Sequence, residues 1–193
     1  KGAEDLGLTG AVDPEVFRAL LQGRHPESGE PLRSDAGAFY LANPNLRPGW
    51  DMTFSPPNSV SGSWAMGDAE TTASVERAHK LAVARAVSYM QTEAARVRRG
   101  RGGTLQYAAD GLIAAGFQHR TSRAGDPQLH EHVILLALAK GPDGRWTTLE
   151  SKELYDHFKT AGAVYHAALR EELTADLGVR WTGRDANGLP EIV

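Results

Sequence analysis

Apolar positions in this chain recur with two periods, and the places where the period changes mark its elements. Val16, Phe17, Leu20 and Leu21 share one face of a short helix. Asp13-Pro14-Glu15 opens it with an N-cap, a proline at the first helical position and an acid near the positive end of the dipole; Gly23 closes it. Residues 24–49 carry Gly, Pro, Ser and Asn throughout and read as loop, with a short strand near Phe39-Tyr40-Leu41. Trp50, Met52 and Phe54 then alternate with Asp51, Thr53 and Ser55, the period of a strand buried on one face. Pro56-Pro57 stops it, and residues 59–66 read as a short helix. Val75, Ala78, Ala82, Ala86, Met90, Ala94 and Val97 fall at helical spacing, which predicts one long amphipathic helix over 72–97. Its arginine-rich C-terminus suits the helix dipole, and Gly100 to Gly103 break it.

Downstream the period returns to that of strands, at 105–108, 116–123 and 129–140. In the last of these, alternation fades after His132 into Val-Ile-Leu-Leu-Ala-Leu, a run suited to burial on both faces. Pro142-Asp-Gly144 reads as a turn, with 146–149 returning as a hairpin partner. Ser151 caps a short helix bearing Leu154, Tyr155 and Phe158, and a second helix over 161–177 carries Val164, Ala168, Leu173 and Leu177 up to Gly178. Residues 179–181 and 189–193 are extended. With no internal repeat and no linker, this order reads as a single α+β domain over residues 1–193.

An apolar fraction of 41% over 193 residues supports one sizeable core. No apolar run approaches the ~20 residues that span a bilayer, so membrane insertion is not expected. The opening Lys-Gly-Ala-Glu-Asp lacks both a signal peptide and an initiator Met, as expected of a piece of a longer protein. Zero cysteines exclude disulfides, thiolate zinc sites and cysteine nucleophiles, and fit a cytoplasmic location. The net charge of −3 argues against a uniformly basic nucleic-acid binder, yet it hides a local excess. Between residues 96 and 123, Arg96, Arg98, Arg99, Arg101, Arg120 and Arg123 face one acid, Asp110, so a polyanion would meet one patch.

Three of the seven histidines, His119, His130 and His132, lie on the two strands that flank the turn signal Ala124-Gly-Asp-Pro127. Alternation puts His130 and His132 on one face and Glu131 on the other, and a hairpin return brings His119 beside the pair. Three neutral imidazoles suit a divalent metal with positions left open for water or a substrate oxygen. His25, His79, His157 and His166 read as ordinary surface or core residues. Metal-bound histidines usually donate their second ring proton to a carboxylate or carbonyl; Asp51 and Asp126 are both candidates, and position alone does not separate them.

These residues carry a resemblance. His119-Arg-Thr-Ser-Arg-Ala-Gly-Asp-Pro-Gln-Leu-His130-Glu-His132 resembles the three-histidine motif of conjugative relaxases of the TrwC/TraI (MobF) type, members of the HUH endonuclease superfamily. Trp50-Asp-Met-Thr-Phe-Ser-Pro-Pro-Asn-Ser-Val-Ser61 is similar to a second block of that family, with Asn58 where the family has lysine. Lys1-Gly-Ala-Glu-Asp-Leu-Gly-Leu8 and Thr160-Ala-Gly-Ala-Val-Tyr165 match two more, and the four occur in family order.

The resemblance implies a central antiparallel sheet with flanking helices, the palm shared with rolling-circle initiators. It implies a single-stranded DNA endonuclease and strand transferase that nicks a plasmid transfer origin through a 5′-phosphotyrosyl intermediate. One divalent ion (Mg, Mn, Zn or Ni) would sit on His119, His130 and His132. Asp51 would orient a histidine or take the nucleophile's proton. The partners implied are single-stranded DNA with an adjacent hairpin and other conjugation components, in a bacterial cytoplasm, with export attached to DNA. The family's nucleophilic tyrosines precede its Lys-Gly-Ala block, so none of Tyr40, Tyr89, Tyr107, Tyr155 and Tyr165 takes that role, and cleavage is not expected of these residues alone. A helicase domain usually follows in the family. For DNA phosphates the candidates are Arg98, Arg99, Arg101, Arg120 and Arg123. Two other readings stay open: a metal-bound DNA-binding module without nuclease activity, and a three-histidine metallohydrolase of small substrates.

Overall fold

Alternation along three segments is strong enough to set the sheet that carries the histidines. β1 (Gly49–Phe54), β4 (Gly111–Thr121) and β5 (Pro127–Lys140) lie in the order β1-β5-β4, and β6 (Trp146–Thr147) pairs antiparallel with the far end of β5. The computed structural model describes residues 1–33, 47–184 and 189–193; the strand expected near Phe39 lies outside them. On β1, Trp50, Met52 and Phe54 are buried and Asp51 and Thr53 exposed, as the sequence period requires. The helices are α1 (Pro14–Leu21), α2 (Asn58–Met66), α3 (Ala69–Tyr89) and α4 (Ser151–Leu177). Asp13 caps α1 by accepting from the amides of Glu15 and Val16. The mixed α and β architecture is the one expected, and among the described residues no helix is long and apolar enough to cross a membrane.

Two compact units share the chain. The first comprises Lys1–Met52, Met90–Gly116 and Val133–Phe158. Its core gathers Leu6, Leu20, Ile113, Leu136 and Leu138, with Val16 and Phe17 of α1 packed against them. Here the expected long helix stops short. α3 ends at Tyr89, a π-type turn covers Met90–Ala94, and Arg96–Arg99 is strand β2, paired antiparallel with β3 (Leu105–Ala108). The π-type turn keeps Met90 and Ala94 buried while letting the chain leave the helix. Gly100 and Gly102, at φ 79° and 70°, then turn it back in a conformation that resists other residues. The arginine run therefore sits on a hairpin and not at a helix end. Strand β4 also begins at Gly111, earlier than its polar part suggested.

The second unit comprises Thr53–Tyr89, Phe117–His132 and Lys159–Val193. Val75, Ala78, Ala82 and Ala86 line the buried side of α3, and Val60 and Trp64 that of α2. Helix α4 runs unbroken where two helices were expected, because Gly162 is tolerated within 27 helical residues. Its Tyr165, Ala168, Leu169 and Leu173 are buried. β7 (Trp181–Arg184) and β8 (Pro190–Ile192) close the unit, where the Glu191 carboxylate accepts from both the amide and the hydroxyl of Ser59 at the start of α2.

Candidate metal centre

A tight turn folds β5 back onto β4. The Ser122 amide donates to the Asp126 carbonyl, and the Ser122 hydroxyl accepts from the amides of Ala124 and Asp126. Gly125, at φ 90°, completes the reversal, which leaves Asp126 as a turn former. The three predicted histidines meet. Ring centroids of His119, His130 and His132 lie 5.0, 5.0 and 5.3 Å apart, and their ligand nitrogens fall within 4.8 Å of one another.

Hydrogen bonding on the far side of two rings fits metal ligation. His130 Nδ1 donates to the Gln128 carbonyl at 3.2 Å, and His132 Nδ1 lies 3.3 Å from the Thr53 hydroxyl. Because the Gln128 carbonyl only accepts, the His130 proton sits on Nδ1 and its Nε2 keeps the lone pair, the form a cation takes; the Thr53 hydroxyl can play either part toward His132. The three histidines line a cleft of about 580 Å³ together with Ser55, Thr121, Ser122 and Arg123. Among the described residues no carboxylate and no tyrosine lines it, so its free charge is cationic and it suits an anion. Thr53 and Gln128 escaped the sequence reading of orienting groups. Thr53 was visible on the polar face of β1, whereas a backbone carbonyl leaves no sequence signal. Asp51 is exposed on that face of β1, in the first unit.

Behind the cleft the strands meet α3. Glu131 turns from the ligands toward His79, with Oε2 3.7 Å from its Nε2; the other ring nitrogen of His79 lies 2.8 Å from the Tyr165 hydroxyl. The Tyr165 ring packs against that of Phe54, centroids 5.3 Å apart and planes tilted by 43°. His79 is fully buried, and desolvation lowers its pKa to about 4, so its ring is neutral. Burial raises the carboxyl of Glu131 and the phenol of Tyr165. One turn before His79, Glu76 accepts from Arg120 at 3.1 Å and from the Trp64 indole at 3.1 Å, and the guanidinium of Arg120 lies over the Trp64 ring.

The arginines divide by partner. Arg99 is mostly buried and held by Asp143, Thr147 and the Arg145 carbonyl; Arg98 pairs with Glu150. Arg101 is exposed at the tip of the β2–β3 hairpin. Arg123 lines the three-histidine cleft.

Comparison with known proteins agrees with this geometry. The family model for the TrwC relaxase matches residues 1–193. The multifunctional conjugation protein TraI of Escherichia coli is 34% identical over 184 residues, covering 91% of this chain and 10% of TraI; TraI of strain K12 is 33% identical over the same shares. The chain thus spans about a tenth of the length of the curated relatives it matches. Among solved structures, metal-bound conjugative relaxase TrwC in complex with oriT DNA superposes with a TM-score of 0.85 at 37% identity, over 100% of this chain and 64% of that one. TrwC complexed with a 27-mer DNA comprising the recognition hairpin and the cleavage site gives 0.85 at 36%, over 100% and 66%. A copper-bound TrwC complex gives 0.84 at 36%, over 100% and 62%.

Proposed function

The chain belongs to the TrwC relaxase family, and from that premise we propose that it serves a site-specific strand transferase that nicks single-stranded DNA at a transfer origin. The observation that carries this reading is the convergence of three imidazoles beside Arg123, in a cleft that no carboxylate lines among the described residues. A tyrosine hydroxyl from outside the described residues attacks the scissile phosphorus. Its oxygen–phosphorus bond forms as the bond to the 3′-oxygen breaks, leaving a 5′-phosphotyrosine and a 3′-oxygen that takes a proton from solvent to become the free hydroxyl, and the bond energy is kept for resealing. Asp51, two residues before Thr53 on the same face of β1, takes the tyrosine's proton. Gln128 and Thr53 hold the rings of His130 and His132, and Arg123 binds a phosphate in the cleft. A divalent ion held by His119, His130 and His132 would supply charge neutralisation to the scissile phosphate; all-imidazole ligation favours Zn or Ni over Mg or Mn.

Arg101 is the second DNA contact we assign. Arg98, Arg99 and Arg120 are held by carboxylates and would have to exchange them for phosphates. The DNA partner carries an adjacent hairpin, and the protein works in the bacterial cytoplasm with other conjugation components. The protein, with whatever natural sequence precedes Lys1, is incubated with end-labelled transfer-origin DNA and Mn²⁺. A covalent adduct that disappears with EDTA and with His130→Ala is expected; free 5′-phosphate without adduct overturns the proposal. These 193 residues alone are expected to bind metal and DNA without nicking, since no tyrosine lines the cleft among the described residues.

A further inference from the structure

The back of the hairpin that carries the ligands holds a group of residues that the chemistry of the cleft does not use. Helix α3 presents Glu76 and His79 one turn apart, and each meets a residue adjacent in sequence to a metal-ligating histidine. Glu76 grips Arg120, the neighbour of His119, at 3.1 Å. His79 faces Glu131, which lies between His130 and His132, at 3.7 Å. We propose that Glu76 and His79 are positioning residues of the metal centre: α3 acts as a template that fixes β4 and β5 from behind and so sets the spacing of the three imidazoles. This rests on the metal reading of the cleft given above.

Side chains alternate across a strand, so a residue adjacent to a ligand projects to the opposite face, and its anchor fixes the height and tilt of the ligand's backbone. His130 and His132 share the intervening residue Glu131, so one anchor governs both. His119 has its own through Arg120. Both anchors stand on one rigid helix, which couples the two strands.

The His79 contact is well braced. Its ring is fully buried, with Tyr165 on one nitrogen at 2.8 Å and Tyr165 itself packed against Phe54. With the Tyr165 hydroxyl donating to Nδ1, the ring proton sits on Nε2 and faces the Glu131 carboxylate without hydrogen-bonding it. At 3.7 Å the approach to Glu131 is longer than a hydrogen bond and acts through charge and packing. The Glu76 contact is shorter and is shared with the Trp64 indole, so Arg120 is held by charge below and an aromatic ring beside it.

Binding of Co²⁺ to the full, metal-free chain tests the proposal, read as dissociation constant and visible d–d spectrum, with urea denaturation in parallel. Groups that orient metal ligands typically contribute about 10- to 100-fold to affinity. Glu76→Ala and His79→Phe are each expected to weaken Co²⁺ binding at least about tenfold and to alter the spectrum. His79→Asn, which keeps a polar group for Tyr165, should recover most of that loss. Arg85→Ala removes an ion pair from the same helix, with Glu171 and Glu172, and should leave Co²⁺ binding unchanged. Should His79→Phe fail to fold, Glu76→Ala decides, since Glu76 is only partly buried. Lower stability with an unchanged dissociation constant and spectrum would reduce both residues to packing and overturn the proposal. Wild-type protein that takes up no Co²⁺, or holds it equally well after His130→Ala, would instead overturn the metal reading itself.

Discussion

The two sides of the β4–β5 hairpin meet the same residue type and put it to opposite uses. On the front, His119, His130 and His132 crowd around an open cleft, with two rings oriented by Gln128 and Thr53. On the back, His79 is sealed from solvent, neutral, and bound to Tyr165. The front tolerates poor burial because a ligand completes it; the back is closed by burial, with Tyr165 on one ring nitrogen of His79 and Glu131 facing the other at 3.7 Å. Front substitutions should therefore change binding with little effect on folding, and back substitutions should change folding as well as metal binding. His130→Ala is the strongest test. It should abolish stoichiometric Co²⁺ binding while shifting stability by less than about 1 kcal/mol, as at half-exposed sites generally. Metal retained by all three single histidine-to-alanine variants would collapse the distinction.

Adjacent residues on β1 sharpen it. Phe54, 3% exposed, packs on Tyr165; its neighbour Thr53 touches His132 on the cleft side. Phe54→Ala should cost about 3–5 kcal/mol in urea denaturation, the usual result of deleting a buried aromatic. Thr53→Ala should cost under about 1 kcal/mol and instead weaken metal binding. Equal stability losses at the two positions would mean that the faces are not energetically distinct.

Acid should act on the back. The pKa of His79 falls from an ordinary 6.5 to about 4 on folding, so between those values the unfolded chain binds a proton that the folded one refuses. Stability of the metal-free protein due to this group is full above pH 6.5 and is lost as pH falls toward 4, by up to about 3 kcal/mol. Glu131, whose carboxyl is raised by burial, contributes a slope of opposite sign above its ordinary pKa. The difference between wild type and His79→Asn therefore isolates the histidine, and should vary across that window and be flat above it. A flat difference throughout would show that His79 is not desolvated.

The front was legible in the sequence and the back was not, for a physical reason. Alternation is local: His130-Glu-His132 and Trp50-Asp-Met-Thr-Phe54 each declare two faces within a few residues, and the turn at Gly125 declares the return. His79 resembles any lone histidine on a helix, because its partner Tyr165 lies 86 positions away. Periodicity also misled where two structures share it. Met90, Ala94 and Val97 continue the helical spacing of α3, yet all three are buried with the chain already out of the helix. That error moved Arg96–Arg99 from a helix end to a strand whose Arg98 and Arg99 are bound to carboxylates. The two helices expected over 151–158 and 161–177 erred the other way, since buried Leu154, Ala161, Tyr165, Ala168 and Leu169 lie along one unbroken helix.

The smallest effect concerns two arginines three residues apart. Arg123 lines the cleft, while Arg120 projects behind it and is already neutralised by Glu76. Each phosphate contact on single-stranded DNA adds about 0.7 to the slope of log affinity against log salt, because a condensed counterion is released. Arg123→Ala should lower that slope by about this amount and weaken binding without regard to sequence. Arg120→Ala should leave the slope unchanged, since a charge satisfied within the protein releases no counterion from the DNA. Salt titrations of DNA binding by both variants in the same buffer measure the difference directly. If Arg120→Ala moved the slope as far as Arg123→Ala, its guanidinium would have to leave Glu76 for a phosphate, and the back face would be a DNA surface as well as a support.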